Sequence, residues 1–250
     1  MIKKIILLTY LCAFSVPTVI AAETTNAPAE QLEQVYKLQY IEREPGVDDY
    51  ELTMLVSDRY IRVDESGDGS GYIVYDDKKK MIYSVSHHDR SVLVIKEYVF
   101  KDTDLPVKYE IEYLALVDAP KVSGNNVFNY RVYTSVEDKE ETCAEVQLVE
   151  NLLPAVTKML KNYQQIIAGQ QVRMTDNTVS DMQTACYFID QVYNAGLYYE
   201  KGLPVQEWHS NERSKILASY KKSEVSGNKF NIPKDYKQFS IGQDSKTFIK

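Results

Sequence analysis

Alternating apolar and polar residues dominate the chain between residues 35 and 150. The clearest stretch is 107–115, in which valine, tyrosine and isoleucine alternate with lysine and glutamate. The same period of two recurs at 36–40, 50–56 and 61–64. This alternation is typical of strands that bury one face and expose the other. The pattern therefore predicts a β-sheet over most of this region.

Turn sequences at short intervals separate the predicted strands. They lie at residues 44–49, 66–71, 76–80, 87–90, 123–126 and 137–140. Connections this short join antiparallel neighbours, because parallel strands need a crossover of about a dozen residues or more. We therefore expect an up-and-down meander of about nine strands through Glu150.

Beyond Glu150 the spacing of apolar residues lengthens to three or four. This spacing predicts two amphipathic helices, near 153–168 and 177–201, with Thr178 as the N-cap of the second helix and Gly202 after its end. Each helix has one apolar stripe, which either seals a packed core or roofs a cavity that admits an apolar ligand. The residues assigned to this helical cover are Val156, Leu160, Tyr163, Met182, Ile189 and Tyr193.

The strand pattern returns after the helices, at 205–209, 215–225 and 237–241. No internal repeat or long linker divides the chain. Residues 33–250 are therefore expected to form one domain with a helical insertion at 153–201. The predicted fold class is α+β, with an antiparallel sheet of about 10–12 strands covered by two helices.

The first 22 residues have the layout of a secretory signal peptide. Lys3 and Lys4 precede an apolar run from Ile5 to Phe14, and small residues end the segment at Ala22. A membrane anchor needs about 20 predominantly apolar residues, whereas polar residues and a proline interrupt this run. We expect cleavage near Ala22, a disordered leader at 23–32, and a mature chain without a membrane span that is periplasmic or secreted.

Two cysteines, Cys143 and Cys186, follow the predicted signal peptide. In an exported protein such a pair is more often a disulfide than a metal or redox site, and the loop it would close is worth roughly 4 kcal/mol. If Cys143 belonged to the first helix of a simple hairpin, Cys186 would be out of its reach. A strand at 142–149 would instead let Cys143 meet a helix that crosses the sheet. We therefore predict that strand and the disulfide, with two buried thiols as the alternative.

Charge excludes one class of partner. The chain has 36 acidic and 29 basic residues and an isoelectric point near 5.2. A protein that binds nucleic acid needs a basic face to neutralise phosphates, and no segment of this chain supplies one. We expect no nucleic-acid partner.

The three histidines give little support to catalysis or metal binding. His87 and His88 are adjacent in a predicted turn, and His209 beside Trp208 stands alone. No nucleophile elbow or glycine-rich oxyanion turn is present. We expect a protein that is not an enzyme, with no catalytic residue, no metal site and no cofactor. A hydrolase would require one of these histidines and an acid together in a pocket.

Tyrosine is the unusual residue of the composition, with 20 copies against 7 phenylalanines and 1 tryptophan. Many of these tyrosines occupy predicted strand positions, where a large half-buried ring suits a pleated sheet. Tyrosine is also enriched at interfaces. A core lining therefore explains the excess about as well as a binding face does.

Several stretches of the sequence resemble the LolA and LolB family of exported proteins. They are Ser57–Ser66 with the following hairpin Gly71–Val85, and Gly202–Trp208 with the later run Phe230–Tyr236. The resemblance spans about residues 33–240. It implies a strongly curved antiparallel sheet, an unclosed β-barrel whose hollow is covered by helices and, in those relatives, carries lipoprotein acyl chains. The chain departs from the carriers because its helices form a single late insertion, and no carrier ligand residue matches a position in it.

Two functions fit these observations. The first is a non-catalytic periplasmic binding or carrier protein that holds an apolar ligand or acyl chain between sheet and helices. The second is an interaction module with a filled core, which recognises another envelope protein through a tyrosine-rich face or an edge strand. The space beneath residues 153–201 distinguishes them, because an apolar void favours carriage and a packed interior favours recognition.

Overall fold

A computed structural model describes residues 31–66, 69, 71–99, 108–136, 139–174 and 184–240. Several predicted features lie outside these residues: the signal peptide at 1–22, the leader through residue 30, the cap Thr178 and the cover residue Met182. The described residues belong to one compact unit.

Twelve strands of the described chain form one curved, unclosed sheet. They are β1 (Leu32–Arg43), β2 (Tyr50–Val56), β3 (Tyr60–Glu65), β4 (Gly71–Asp76), β5 (Met81–Ser86), β6 (Ser91–Lys96), β7 (Glu110–Ala115), β8 (Val127–Val136), β9 (Lys139–Val149), β10 (Leu203–His209), β11 (Ser214–Ser226) and β12 (Lys237–Phe239). Neighbouring strands pair antiparallel, except that β12 is parallel to β6. The predicted α+β class and the curved, unclosed antiparallel sheet are confirmed.

The order of strands corrects the predicted single meander. The sheet runs β12-β6-β5-β4-β3-β2-β1-β11-β10-β9-β8-β7, so β7 forms one edge while β6 lies beside β12 at the other. Two meanders, β1–β6 and β7–β11, therefore meet along β1 and β11. The prediction was wrong at the connection 97–109, which is longer than a hairpin loop and can cross to a distant part of the sheet.

The central seam between β1 and β11 positions several charged residues. It pairs Leu32 with Ser226 at one end and Arg43 with Ser214 at the other, with an irregularity after Gln39. Further pairings set Lys215 opposite Glu42 on β1 and opposite Glu207 on β10. Three charged residues from three neighbouring strands thus come side by side.

The helix α1 (Pro154–Met174) covers one face of the sheet, here called the inner face. Pro154 occupies the first turn, where its missing N–H is harmless. Val156, Leu160, Tyr163 and Ile166 are buried, so the predicted apolar stripe faces the sheet. The helix extends six residues beyond the predicted end at 168, to Met174. We call α1 the regular half of the roof.

The predicted second helix at 177–201 is wrong as a continuous element. Residues 184–200 form the short helix α2 (Ala185–Phe188), a π turn (Ile189–Tyr193) and a 3₁₀ turn (Leu197–Glu200). Gly196 separates the last two, with a φ of 71° that disfavours helix continuation. The hydroxyl of Thr184 accepts the N–H of Tyr187 and caps α2. We call residues 184–200 the irregular half of the roof.

A disulfide joins the irregular half of the roof to the sheet. Cys143 lies in β9 and Cys186 in α2, with Cα atoms 4.7 Å apart and both side chains fully buried. The predicted bridge and the predicted strand at 142–149 are both confirmed.

The outer face of the sheet is covered by the C-terminal segment 227–239. Phe230 packs against Val35 and Leu55, whose side chains point away from α1. Ile232 and Tyr236 pack against the outward-facing valines of β5 and β6. Both faces of the first meander are therefore covered.

Candidate functional site: a roofed cleft with a buried charge cluster

A cleft lies between the roof and the inner face of the sheet, and we call it the roofed cleft. Its volume is about 310 Å³, at the lower end of the range of ligand sites. One part of its lining is apolar and consists of Leu52, Met54, Val63, Ile73, Leu160 and Ile167. The interior beneath residues 153–201 is therefore neither a large apolar void nor completely filled.

The predicted cover residues occupy different places in the structure. Leu160 and Tyr163 line the roofed cleft. Val156 and Ile189 are buried in the core that α1 shares with the sheet. Tyr193 is half-buried in the π turn and does not line the cleft.

Four charged side chains form a largely buried cluster in the cleft: Asp190, Glu207, His209 and Lys215. The Nζ of Lys215 lies 3.0 Å from Oε1 of Glu207. The Nδ1 of His209 lies 2.9 Å from Oδ2 of Asp190, and its Nε2 lies 3.8 Å from Oε2 of Glu207. We call these residues the charge cluster. It contains two acids and two bases in alternating contact.

Local backbone geometry explains how the charge cluster assembles. Glu207 and His209 are two residues apart on β10, so their side chains share one face, while Trp208 points to the other. Lys215 reaches Glu207 from the neighbouring strand. The π turn brings Asp190 against His209 from the roof. The contact of Asp190 with His209 thus joins the irregular half of the roof to the sheet.

Charge pairing fixes the ionisation of the cluster. Burial opposes ionisation of Glu207, but Lys215 and His209 outweigh it and lower the pKa of its carboxyl to about 2. Burial likewise opposes protonation of His209, but Asp190 and Glu207 raise the pKa of its imidazole to about 9. The pKa of Lys215 is raised by Glu207 and Glu42 in spite of burial. At neutral pH Glu207 is therefore a carboxylate, and His209 and Lys215 are cations.

This ionisation limits what the cluster does chemically. Both ring nitrogens of His209 face carboxylates, so the imidazolium has no free nitrogen to accept a proton. Lys215 stays protonated beside Glu207 and has no lone pair for nucleophilic attack. The arrangement therefore provides fixed charges, which orient polar groups, rather than a free general base.

Tyrosine hydroxyls complete the polar side of the cleft. The hydroxyl of Tyr198 donates to Oε2 of Glu207 at 2.9 Å. The hydroxyl of Tyr50 lies 2.9 Å from a carboxylate oxygen of both Glu42 and Glu44. Tyr163 is 9% exposed, and its hydroxyl forms no hydrogen bond with the described part of the chain.

Acidic residues surround the mouth of the cleft. Glu44 pairs with Arg213, whereas Glu42 has only the hydroxyl of Tyr50 as its hydrogen-bond donor within the described chain. The carboxylate of Glu65 forms no ion pair or hydrogen bond within the described residues. A second groove of about 650 Å³ continues from this mouth across the ends of β3–β5.

The histidines were only partly anticipated from the sequence. His87 and His88 lie in the β5–β6 turn, as expected, where they contact Tyr236 and Asp89. The view of His209 as isolated is wrong, because it meets Asp190 and Glu207 in the cleft. The sequence did contain one signal, because Glu207 and His209 occupy alternate positions of the predicted strand 205–209 and therefore share one face.

The described residues offer neither a metal centre nor a membrane span. No group of three or more histidine, cysteine, aspartate or glutamate side chains among them is arranged to hold a metal ion. No described helix is both long and apolar enough to cross a bilayer.

Comparisons with known proteins give no family. No protein-family model matches the chain, and no curated protein matches it. The chain is similar to the crystal structure of an uncharacterised conserved protein from Thermus thermophilus, with a TM-score of 0.42 and 8% identity over 82% of this chain and 90% of that one. It is also similar to a structure of PNGF-II, with a TM-score of 0.38 and 12% identity over 83% of this chain. The match spans 31% of the PNGF-II chain.

Proposed function

We propose that this protein is a non-catalytic binding protein of the periplasm or extracellular space that holds one small amphipathic molecule in the roofed cleft. The observation that carries the proposal is the division of the lining. Leu52, Met54 and Leu160 suit an apolar group, while Glu42 and the charge cluster suit a polar one. A binding site typically combines an apolar lining with a few fixed polar groups.

The size of the cleft limits the ligand. A cavity of about 150 Å³ holds one benzene molecule, and the roofed cleft has about 310 Å³. This favours a short acyl chain or a one- or two-ring compound with a polar head over a large lipid. The curved sheet and helical roof are also what a LolA-like architecture would have, and in those carriers the corresponding hollow holds acyl chains.

The proposed location and lack of catalysis have separate support. A structural disulfide is stable in an oxidising compartment, which agrees with a signal peptide at residues 1–22. His209 and Lys215 are held as cations by carboxylates, so neither is poised as a base or a nucleophile.

Native mass spectrometry of the protein purified from its own envelope fraction tests this proposal. We expect an adduct of constant mass that is lost on denaturation. Ala195→Phe adds a ring to the cleft lining and should abolish the adduct, whereas Ala115→Phe on the edge strand β7 should retain it. Thermal melts establish that both variants fold. A wild-type protein without adduct, or equal adducts in both variants, would overturn the proposal.

A second candidate function is recognition of another envelope protein through β7. This edge strand and the loop after it expose Ile111, Leu114 and Val117, the last by 89%. An unpaired edge with exposed apolar side chains can accept an added strand. A photocrosslinker at position 114 should trap an envelope protein that one at the exposed Lys158 does not. Background labelling at both positions would count against this function.

A further inference from the structure

We propose that the ligand of the roofed cleft is an organic cation, an amine with an apolar body, whose ammonium group lies at the mouth between Glu42 and Glu65. The inference rests on the proposed binding function and names the chemical class of the ligand.

Two carboxylates in the lining of the cleft have no ion pair within the described chain. Inside the charge cluster two acids face two bases. At the mouth Arg213 pairs with Glu44, and Arg43 is bound to Asp49 outside the lining. Among the described residues of the lining, Glu42 and Glu65 are therefore the acids without an ion pair of their own, because Lys215, the cross-strand neighbour of Glu42, is paired with Glu207. A cationic ligand would supply the missing charge.

Strand geometry brings these two carboxylates to one opening. Glu42 is the cross-strand partner of Tyr50, and Glu65 is the partner of Leu52. Tyr50 and Leu52 are two residues apart on β2, so all four side chains share the inner face. Glu42 and Glu65 thus stand on either side of an aromatic ring and a leucine. Carboxylates around an aromatic ring are a recurrent setting for ammonium groups.

Tyr163 gives an independent indication that a ligand group belongs here. Its side chain is nine-tenths buried and lines the cleft, and its hydroxyl forms no hydrogen bond with the described residues. The hydroxyl lies within electrostatic range of Lys215, Glu42 and Glu65. The oxygen of this hydroxyl is therefore available to a ligand group in the cleft. An ammonium N–H would satisfy it, because a tyrosine oxygen accepts hydrogen bonds as well as donating them.

The remaining lining fits the apolar body of such a molecule. Met54, Val63 and Ile73 follow the two carboxylates inward along the sheet, and Leu160 and Ile167 face them from α1. A ring or short chain attached to the ammonium group would lie between these two apolar surfaces.

Isothermal titration calorimetry with three probes of matched size tests the class of ligand. The probes are 2-phenylethylamine, 2-phenylethanol and 3-phenylpropionate, which are cationic, neutral and anionic. We expect the amine to bind most tightly and the anion least, with an affinity for the amine that falls as salt is added. Glu42→Gln and Glu65→Gln should each weaken amine binding about tenfold, the effect of one charged hydrogen bond. Tyr163→Phe should weaken it less.

The control is Glu141→Gln, an exposed glutamate on β9 that should leave amine binding unchanged. Preferred binding of the alcohol or the anion would contradict the proposal that the ligand is a cation and would leave the binding function intact. Absence of amine binding would also contradict the proposal that the ligand is a cation. Failure of the binding function itself is a separate result, a wild-type protein without adduct in native mass spectrometry. Equal loss of amine affinity in Glu141→Gln would show that overall charge, and not the mouth, attracts the amine.

Discussion

The two halves of the roof cover the inner face of the sheet in different ways. The regular half is one helix of 21 residues that buries an apolar stripe, including Leu160 and Ile166. The irregular half has no continuous stripe and consists of three short turns. It nevertheless buries Asp190 and Asn194, which are polar. Both halves therefore supply apolar cover, and the irregular half also supplies polar groups to the interior.

Polar contacts and one covalent bond hold the irregular half in place. The hydroxyl of Tyr130 donates to Oδ1 of Asn194 at 2.8 Å, while Nδ2 of this fully buried residue has no partner within the described chain. Asp190 contacts His209, Tyr198 contacts Glu207, and Cys186 is bonded to Cys143. An unpaired buried amide costs stability. We infer that the two halves differ in how they are anchored, which the following variants test.

The largest effect is expected from Glu207→Leu. This change leaves Lys215 and His209 buried without their shared acid, and breaking a buried ion pair costs about 3–5 kcal/mol. Urea unfolding measures the loss. Hydrogen exchange should increase at residues 184–200 before it increases in α1. Ile166→Ala is the counterpart in the regular half, and it should loosen α1 first; the reverse order in either variant would refute the difference in anchoring.

Removing the disulfide should have the next largest effect. The double variant Cys143→Ala/Cys186→Ala frees a loop with a sequence separation of 43, which corresponds to about 4 kcal/mol. We expect faster hydrogen exchange at residues 184–200 than in α1. Equal acceleration in both halves would mean that the bridge stabilises the whole sheet and not the irregular half in particular.

The charge cluster should make stability depend on pH. Folding raises the pKa of His209 from 6.5 to about 9, so its contribution of about 3 kcal/mol is complete below pH 6.5 and is lost as pH rises through 9. Folding lowers the pKa of Glu207 from 4.5 to about 2, so its contribution is complete above pH 4.5 and is lost as pH falls through 2. Stability should therefore be greatest between pH 4.5 and 6.5.

Urea unfolding across this range provides the measurement. His209→Gln should remove the decline above pH 6.5, whereas the exposed His88→Gln should leave it in place. An unchanged decline in His209→Gln would assign the pH dependence to other groups.

The smallest effect concerns the break at Gly196. Gly196→Ala should cost about 2 kcal/mol, because φ is 71° and the new Cβ would lie 2.8 Å from Cβ of Gln164 on α1. Gly46→Ala has a similar φ of 78° with open space around it, so it should cost about 1 kcal/mol. The difference in stability loss between the two variants, taken from their melting curves, measures how tightly the irregular half packs against Gln164 on α1. Equal losses would mean that the halves pack loosely at this point.

The same contrast explains how much of the fold was predictable. The period-two stretches that became β1, β2, β3 and β7 and the apolar stripe of α1 each repeat a local pattern, so periodicity was enough to locate them. The crossing from β6 to β7 was missed because pairing of distant strands leaves no local trace. The irregular half was predicted as a helix because Cys186 and Ile189 have helical spacing, and the π turn that follows keeps both buried.

The candidate site was less predictable than the fold. Tyr163 and Leu160 were identified because the helical stripe points inward. Asp190, Glu207 and Lys215 were missed, since each carries a charge and charged residues are almost never fully buried unless paired. Their pairing depends on the seam between β1 and β11 and on the π turn, and neither follows from periodicity.

The seam between β1 and β11 also determines the order in which the molecule can become functional. The strands β1–β6 and β7–β9 can each pair with neighbours close in sequence as the chain emerges, but the other side of β1 cannot pair until residues 214–226 are available. Ladders between such distant segments close slowly. Glu42 and Lys215 face each other only across this ladder. A chain stalled before β11 would therefore display an open inner face for as long as the delay lasts, and the cleft would come into being in the last step of folding.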